Sequence, residues 1–176
     1  MSLTLETKRL SLRPFDQGDI QAVVAISTAP NVSCYMQDMI YDTQEKAEAW
    51  IAMLHRLYNP AAPLVVLAIV PKDGSGPVGY IGVHPKEELA GEVEILYAVM
   101  DEAKNKGYAT EAGTALVNWC FDATGIPAIA AIIKPDNGPS ARVAQKLGFE
   151  RAGERTIPYN GKETFFHYYR LKAPIE

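Results

Sequence analysis

The chain has 176 residues, 48% of them hydrophobic, with 17 Lys+Arg against 21 Asp+Glu and a formal net charge of −4. That length supports a sizeable core, and with no linker or break in composition residues 1–176 read as a single domain. The acidic balance argues against nucleic acid as a partner; no apolar run approaches the roughly 18–20 residues of a membrane span, and MSLTLETKRL has no signal-peptide core, so a soluble, cytoplasmic protein is expected.

Leu3 to Arg13 alternates apolar and polar residues up to Pro14, the pattern of a strand closed by a loop. Asp16 and Asp19 suit the start of a helix with Ile20, Val23, Val24 and Ile26 on one side, stopped at Pro30, and residues 31–42 read as loop. Thr43 caps a second helix, with Glu45 in its first turn, a buried stripe of Ala47, Trp50, Ile51 and Leu54, and an end at Asn59 and Pro60. Leu64 to Val70 and Val78 to Val83 are strands joined by the turn DGSGP, hence a hairpin. The polar turn HPKEELAGE leads to a third strand, Val93 to Met100. KNKGYATEA then opens a helix carrying Ala112, Leu116, Trp119, Cys120 and Ala123 along one side and ending at Gly125 and Pro127. Ala128 to Ile133 is apolar throughout, as a strand buried on both faces would be, so strand, helix and strand form one βαβ unit. Pro139 fits the first position of a helix that stops at Gly148, and Asn160-Gly161 is a two-residue hairpin turn between two last strands. The elements sum to an α/β (α+β) domain with a mixed, mostly antiparallel sheet of about seven strands and about four helices.

Two cysteines are too few for a disulfide framework; Cys120 reads as a buried thiol, and a reactive Cys34 stays open. His55, His84 and His167 show no ligand spacing, so no metal is expected. The junction KNKGYATEA carries more chemistry. First-turn N–H groups of a helix lack intrahelical partners and sit at the positive end of its dipole, Gly107 lets the chain turn with positive φ, and Lys104 and Lys106 add charge. This suits a phosphate, although neither a Walker loop nor G-x-G-x-x-G is present. The alternative is a tight strand-to-helix turn solvated by its lysines.

A second stretch, PDNGPSARVAQKLGF from Pro135 to Phe149, follows the next strand. Together with KNKGYATEA it closely resembles the GNAT superfamily of acyl-CoA N-acetyltransferases, whose pattern is Arg/Gln-x-x-Gly-x-Gly/Ala, then Asn-x-x-Ser before a helix ending Lys-Leu-Gly-Phe. The matching residues are Lys104, Gly107 and Ala109, then Asn137 and Ser140, then Lys146 to Phe149. The opening TKRLSLRPFDQGDI is similar to the branch containing ribosomal-protein N-terminal acetyltransferases and many small-amine acetyltransferases. Two positions depart from the pattern: Lys104 keeps a donor without planar geometry, and Leu96 stands where the branch often has Gly.

The resemblance implies a splayed sheet in which Val93 to Met100 and Ala128 to Ile133 part to admit pantetheine. It implies that acetyl-CoA, the cosubstrate, lays its pyrophosphate on the segment Lys104, Asn105, Lys106, Gly107, Tyr108, Ala109 and Thr110, and pairs a pantetheine amide with the backbone near Val99. Asn137 and Lys146 would help to order the cofactor, and Ser140 would give a proton to the leaving thiolate; the serine's other reading is the third position of a helix capped by Asn137. Glu94, a lone carboxylate in an otherwise apolar strand, is the candidate base for the attacking amine, unless it belongs with Glu92 to a solvated strand end. The implied function is acetyl transfer to a primary amine, on a protein N-terminus or a small molecule, with a non-catalytic acyl-CoA-binding sensor as the alternative. Acetyl-CoA and that amine are the implied partners, a homodimer is left open, and neither nucleic acid nor membrane is expected.

Overall fold

The N-terminal alternation is split in two by Thr7. Its N–H donates to Leu10 O (2.9 Å) and its hydroxyl accepts from Leu10 N–H (2.9 Å), which folds β1 (Leu5–Glu6) back on β2 (Leu10–Arg13) as an antiparallel pair where one strand is predicted. A computed structural model of the chain describes residues 3–59 and 63–174; Pro60 lies outside the described residues. The remaining elements are α1 (Ile20–Thr28), α2 (Pro30–Ser33), α3 (Gln44–Leu57), β3 (Val65–Pro71), β4 (Gly79–Lys86), β5 (Glu92–Val99), α4 (Tyr108–Thr124), β6 (Ala128–Ile133), α5 (Gly138–Lys146), β7 (Glu150–Tyr159) and β8 (Lys162–Lys172).

Local signals explain most of these boundaries. Thr43 Oγ1 accepts from Lys46 N–H at 3.3 Å and α3 buries Ala47, Trp50, Ile51 and Leu54, as predicted. Pro30 does stop α1, but it also starts α2 within the predicted loop, because a proline in a first turn lacks only an N–H that would have no intrahelical partner. On α4 the buried residues are Ala112, Gly113, Leu116, Val117 and Cys120, whereas the predicted Ala123 is exposed. Gly113 lets Leu147 pack closely on α4, since a Cβ would lie 2.6 Å from Leu147 Cδ1. Asn160 (φ 50°) and Gly161 (φ 72°) make the tight β7–β8 turn.

The eight strands form one sheet in the order β1-β2-β3-β4-β5-β6-β8-β7, antiparallel except between β5 and β6. The opening hairpin and α2 account for the extra strand and helix over the predicted counts. Side chains alternate across the sheet. Ile95, with Val93, Tyr97 and Val99, packs on the face covered by α4 and α5; Ala98, with Leu96, packs on the face covered by α1 and α3. Among the described residues β5 and β6 share one pair, Glu94 opposite Ala130. From there towards Val99 and Ile133 the two strands are unpaired, and the sheet opens from one face to the other.

Candidate active site

A cavity of about 910 Å³ occupies this opening. Glu94, Val99, Lys104, Asn105, Gly107, Tyr108, Ala109, Thr110, Asn137, Ser140 and Lys146 all line it. Lys106, named with them from the sequence, is not among the lining residues: its carbonyl accepts from Arg9 Nη1 (2.8 Å) and its ammonium lies 6.0 Å from the Tyr108 ring centroid.

The turn into α4 is shaped by two left-handed residues, Asn105 (φ 59°) and Gly107 (φ 79°), the latter at the N-cap of α4 with no side-chain cap bond. First-turn N–H groups of a 17-residue helix are thereby left for a ligand. Lys104 already has a partner, with Nζ 2.5 Å from Asp101 Oδ1. The turn is held from behind by residues the sequence pattern did not single out. Glu111 accepts from Thr7 Oγ1 (2.7 Å), Arg9 N–H (2.9 Å) and Arg9 Nε (2.7 Å), and the Arg9 guanidinium lies 5.0 Å from the Tyr108 ring centroid. Burial pushes the Glu111 carboxyl up, but the bonds from Thr7 and Arg9 outweigh it and hold it below the usual range.

Glu94 lies on the α1/α3 face by strand alternation, and only 8% of it is exposed. Its surroundings are not the apolar ones its own strand suggests. Because β4 runs on to Lys86, His84 stands directly across from Glu94, with Nε2 3.2 Å from Oε2, and Lys86 Nζ reaches the same oxygen at 3.4 Å. In both ion pairs the nearest carboxylate oxygen is Oε2. His84 Nδ1 faces Pro85 O at 3.0 Å, so both ring nitrogens are engaged. Glu92 is tied separately, accepting from Tyr168 Oη (2.5 Å) with Arg170 Nη2 at 3.3 Å.

Ser140 lies on the opposite face. Asn137 Oδ1 accepts its N–H at 3.2 Å, which caps α5, while its hydroxyl donates to Tyr97 Oη (3.0 Å) and Tyr97 in turn donates to Ser140 O (2.9 Å). Burial pushes the Tyr97 phenol up to about 12, so it is a proton donor at neutral pH. Asn137→Ala is expected to lower stability by about 1 kcal/mol through the lost cap, a fall of about 3 °C on thermal melting.

Met100 N–H donates to Val78 O (2.9 Å), so by alternation the N–H and C=O of Val99 point the other way, into the opening. The Val99 carbonyl accepts from Asn31 Nδ2 at 2.8 Å, while Asn31 Oδ1 is buried without a partner among the described residues. Asn31 was hidden by the loop prediction. Among the described residues no group of three or more His, Cys, Asp or Glu is arranged to hold a metal, and no helix is long and apolar enough to cross a membrane.

The α4 N-terminus, the open strand edge and the buried carboxylate meet in one cavity, and the family model for the acetyltransferase (GNAT) domain matches residues 9–150. The chain belongs to the GNAT acetyltransferases. It is an N-acetyltransferase similar to the uncharacterized N-acetyltransferase YnaD of Bacillus subtilis (strain 168), with 31% identity over 169 residues and 94% of each chain covered. This GNAT fold matches the GNAT-family acetyltransferase from Bacillus anthracis with a TM-score of 0.80 at 25% identity, covering 97% of this chain and 98% of that one. It also matches RimL, a ribosomal L7/L12 alpha-N-protein acetyltransferase solved in complex with Coenzyme A, with a TM-score of 0.79. That second likeness, at 16% identity over 97% of this chain and 98% of the other, concerns the fold alone.

Proposed function

We propose that this GNAT domain, spanning residues 1–176, transfers the acetyl group of acetyl-CoA to a primary amine by direct attack on the thioester. The observation that carries this reading is the joining of the α4 cradle and Glu94 in one cavity that crosses the sheet. The residues fit the cosubstrate: uncapped α4 N–H groups suit its pyrophosphate, and the inward-facing Val99 backbone suits a pantetheine amide added as a short strand. The amine nitrogen bonds to the acetyl carbon as the C–S bond breaks. Glu94 takes one proton from the ammonium, directly or through water; Ser140 supplies one to the departing thiolate and is restored by the second proton that the nitrogen loses as the amide forms.

The test is release of free CoA by the purified chain across a panel of amines that includes small molecules and peptide N-termini. Turnover with at least one amine is the expected result. Tight binding of acetyl-CoA without turnover on any of them would instead make the chain an acyl-CoA-binding sensor. Gly107→Asp is expected to weaken acetyl-CoA binding by about tenfold or more, because it puts a negative charge and a strained left-handed side chain at the cradle. Unchanged affinity by calorimetry in a folded variant would remove the pyrophosphate from this segment.

A further inference from the structure

The half of the cavity on the α1/α3 face is walled by apolar side chains that the fold leaves partly uncovered. Met36, Met39, Tyr41, Met53 and Leu96 are all half-buried there and all line the cavity. Behind them stands a rigid aromatic bracket. Tyr41 stacks on Trp50 (centroids 4.7 Å apart, 23° between planes), Trp50 meets the edge of Tyr80 (5.7 Å, 62°), and Tyr80 Oη contacts Met36 Sδ at 3.2 Å. A fixed aromatic wall faced with unbranched methionines suits a flat or bulky apolar group, which the thioethers can adapt to.

The charges narrow the choice further. Two carboxylates line this side: Glu94, which is buried, and Asp38, which is exposed and whose Oδ1 accepts from Tyr159 Oη at 2.7 Å. Two ammonium groups line it as well: Lys86, 3.4 Å from Glu94, and Lys134, 5.0 Å from the Tyr159 ring centroid. One acceptor ammonium therefore has a partner in Glu94, whereas Lys86, Lys134 and the apolar wall leave the further cations of a polyamine only Asp38. A peptide would have to desolvate its backbone N–H and C=O groups against the same wall, which offers them few partners.

Resting on the acetyl-transfer reading above, we infer that the acceptor is a hydrophobic monoamine of the arylalkyl type, its ammonium towards Glu94 and its apolar group against Met36, Met39, Met53 and the Tyr41–Trp50 bracket. The full chain, saturated with acetyl-CoA, would be assayed for CoA release with 2-phenylethylamine, spermidine and a short peptide with a free N-terminus. The expected kcat/KM for 2-phenylethylamine exceeds the other two by about tenfold or more. Met53→Glu, with Met39→Gln as a milder second variant, should raise KM for 2-phenylethylamine by about tenfold while acetyl-CoA affinity by calorimetry stays unchanged. Preference for spermidine or the peptide, or an unmoved KM in both folded variants, would overturn the assignment and leave acetyl transfer standing. If no amine is turned over, acetyl transfer itself falls. Calorimetric titration of the CoA-loaded chain with 2-phenylethylamine then decides the pocket: binding lost in Met53→Glu supports it, and no binding to the unmodified chain overturns it.

Discussion

Glu94→Gln is expected to lower kcat by about 10² while acetyl-CoA affinity stays within about twofold. The acceptor arrives as an ammonium and must lose a proton before its lone pair can attack, and Glu94 is the buried carboxylate on the α1/α3 face of the opening. Glutamine keeps the length of the side chain and removes the proton acceptor. It also takes the negative charge away from Lys86, whose side chain is only 15% exposed, so a fall in melting temperature should accompany the loss of rate and must be measured separately. Glu94→Asp, which retains a carboxylate on a shorter stem, should recover part of the rate if basicity is what matters. A glutamine variant with wild-type kcat would eliminate Glu94 as the base. Tyr97 would not replace it, because burial pushes that phenol up to about 12 and it lies on the other face of the sheet beside Ser140; an ordered water would then be the acceptor to pursue.

The second large effect is on the fold. Gly79, on β4, pairs with both Ile69 and Val99, and a Cβ added there would lie 2.1 Å from Ala98 O and 3.0 Å from Val99 Cα. Both are backbone atoms and cannot swing aside, so β4 and β5 would have to separate at the point where β5 borders the opening. Gly79→Ala is expected to cost about 3 kcal/mol, which for a chain of this size lowers the melting temperature by about 10 °C. Acetyl-CoA binding should weaken with it, since the displaced backbone includes Val99. A variant that melts within about 2 °C of the parent would mean that the strands absorb the methyl group without moving apart.

What the sequence reveals depends on how far apart the interacting residues lie along it. The Thr43 cap, the stripe of α3 and the Asn160-Gly161 turn are each contained in a few consecutive residues, and all were legible. The turn into α4 was legible for the same reason, since its glycine and helix start follow one another. Its support was not, because Arg9 and Glu111 are 102 positions apart and neither residue type at its own position signals the other. Glu94 stood out as a lone carboxylate, yet its environment depended on where β4 ends. Stopping that strand at Val83 put His84 and Lys86 in a turn, when three more residues of strand set His84 opposite Glu94. The opening hairpin was missed because alternation continues straight through Thr7, and only the hydrogen bonds between Thr7 and Leu10 mark the reversal.

The two thiols of the chain differ sharply in access, and that has a practical use. Cys120 is buried, and burial pushes its thiol up, away from the reactive thiolate form, whereas Cys34 is exposed. A maleimide dye should therefore attach at one position of the unmodified chain. That position lies between Asn31, bonded to the Val99 carbonyl, and Tyr35, whose hydroxyl donates to Asp136 O at 3.3 Å on the far side of the opening. A fluorophore on Cys34 would sit beside the opening and read out, without any substitution, whether its surroundings change when acetyl-CoA or an amine is added.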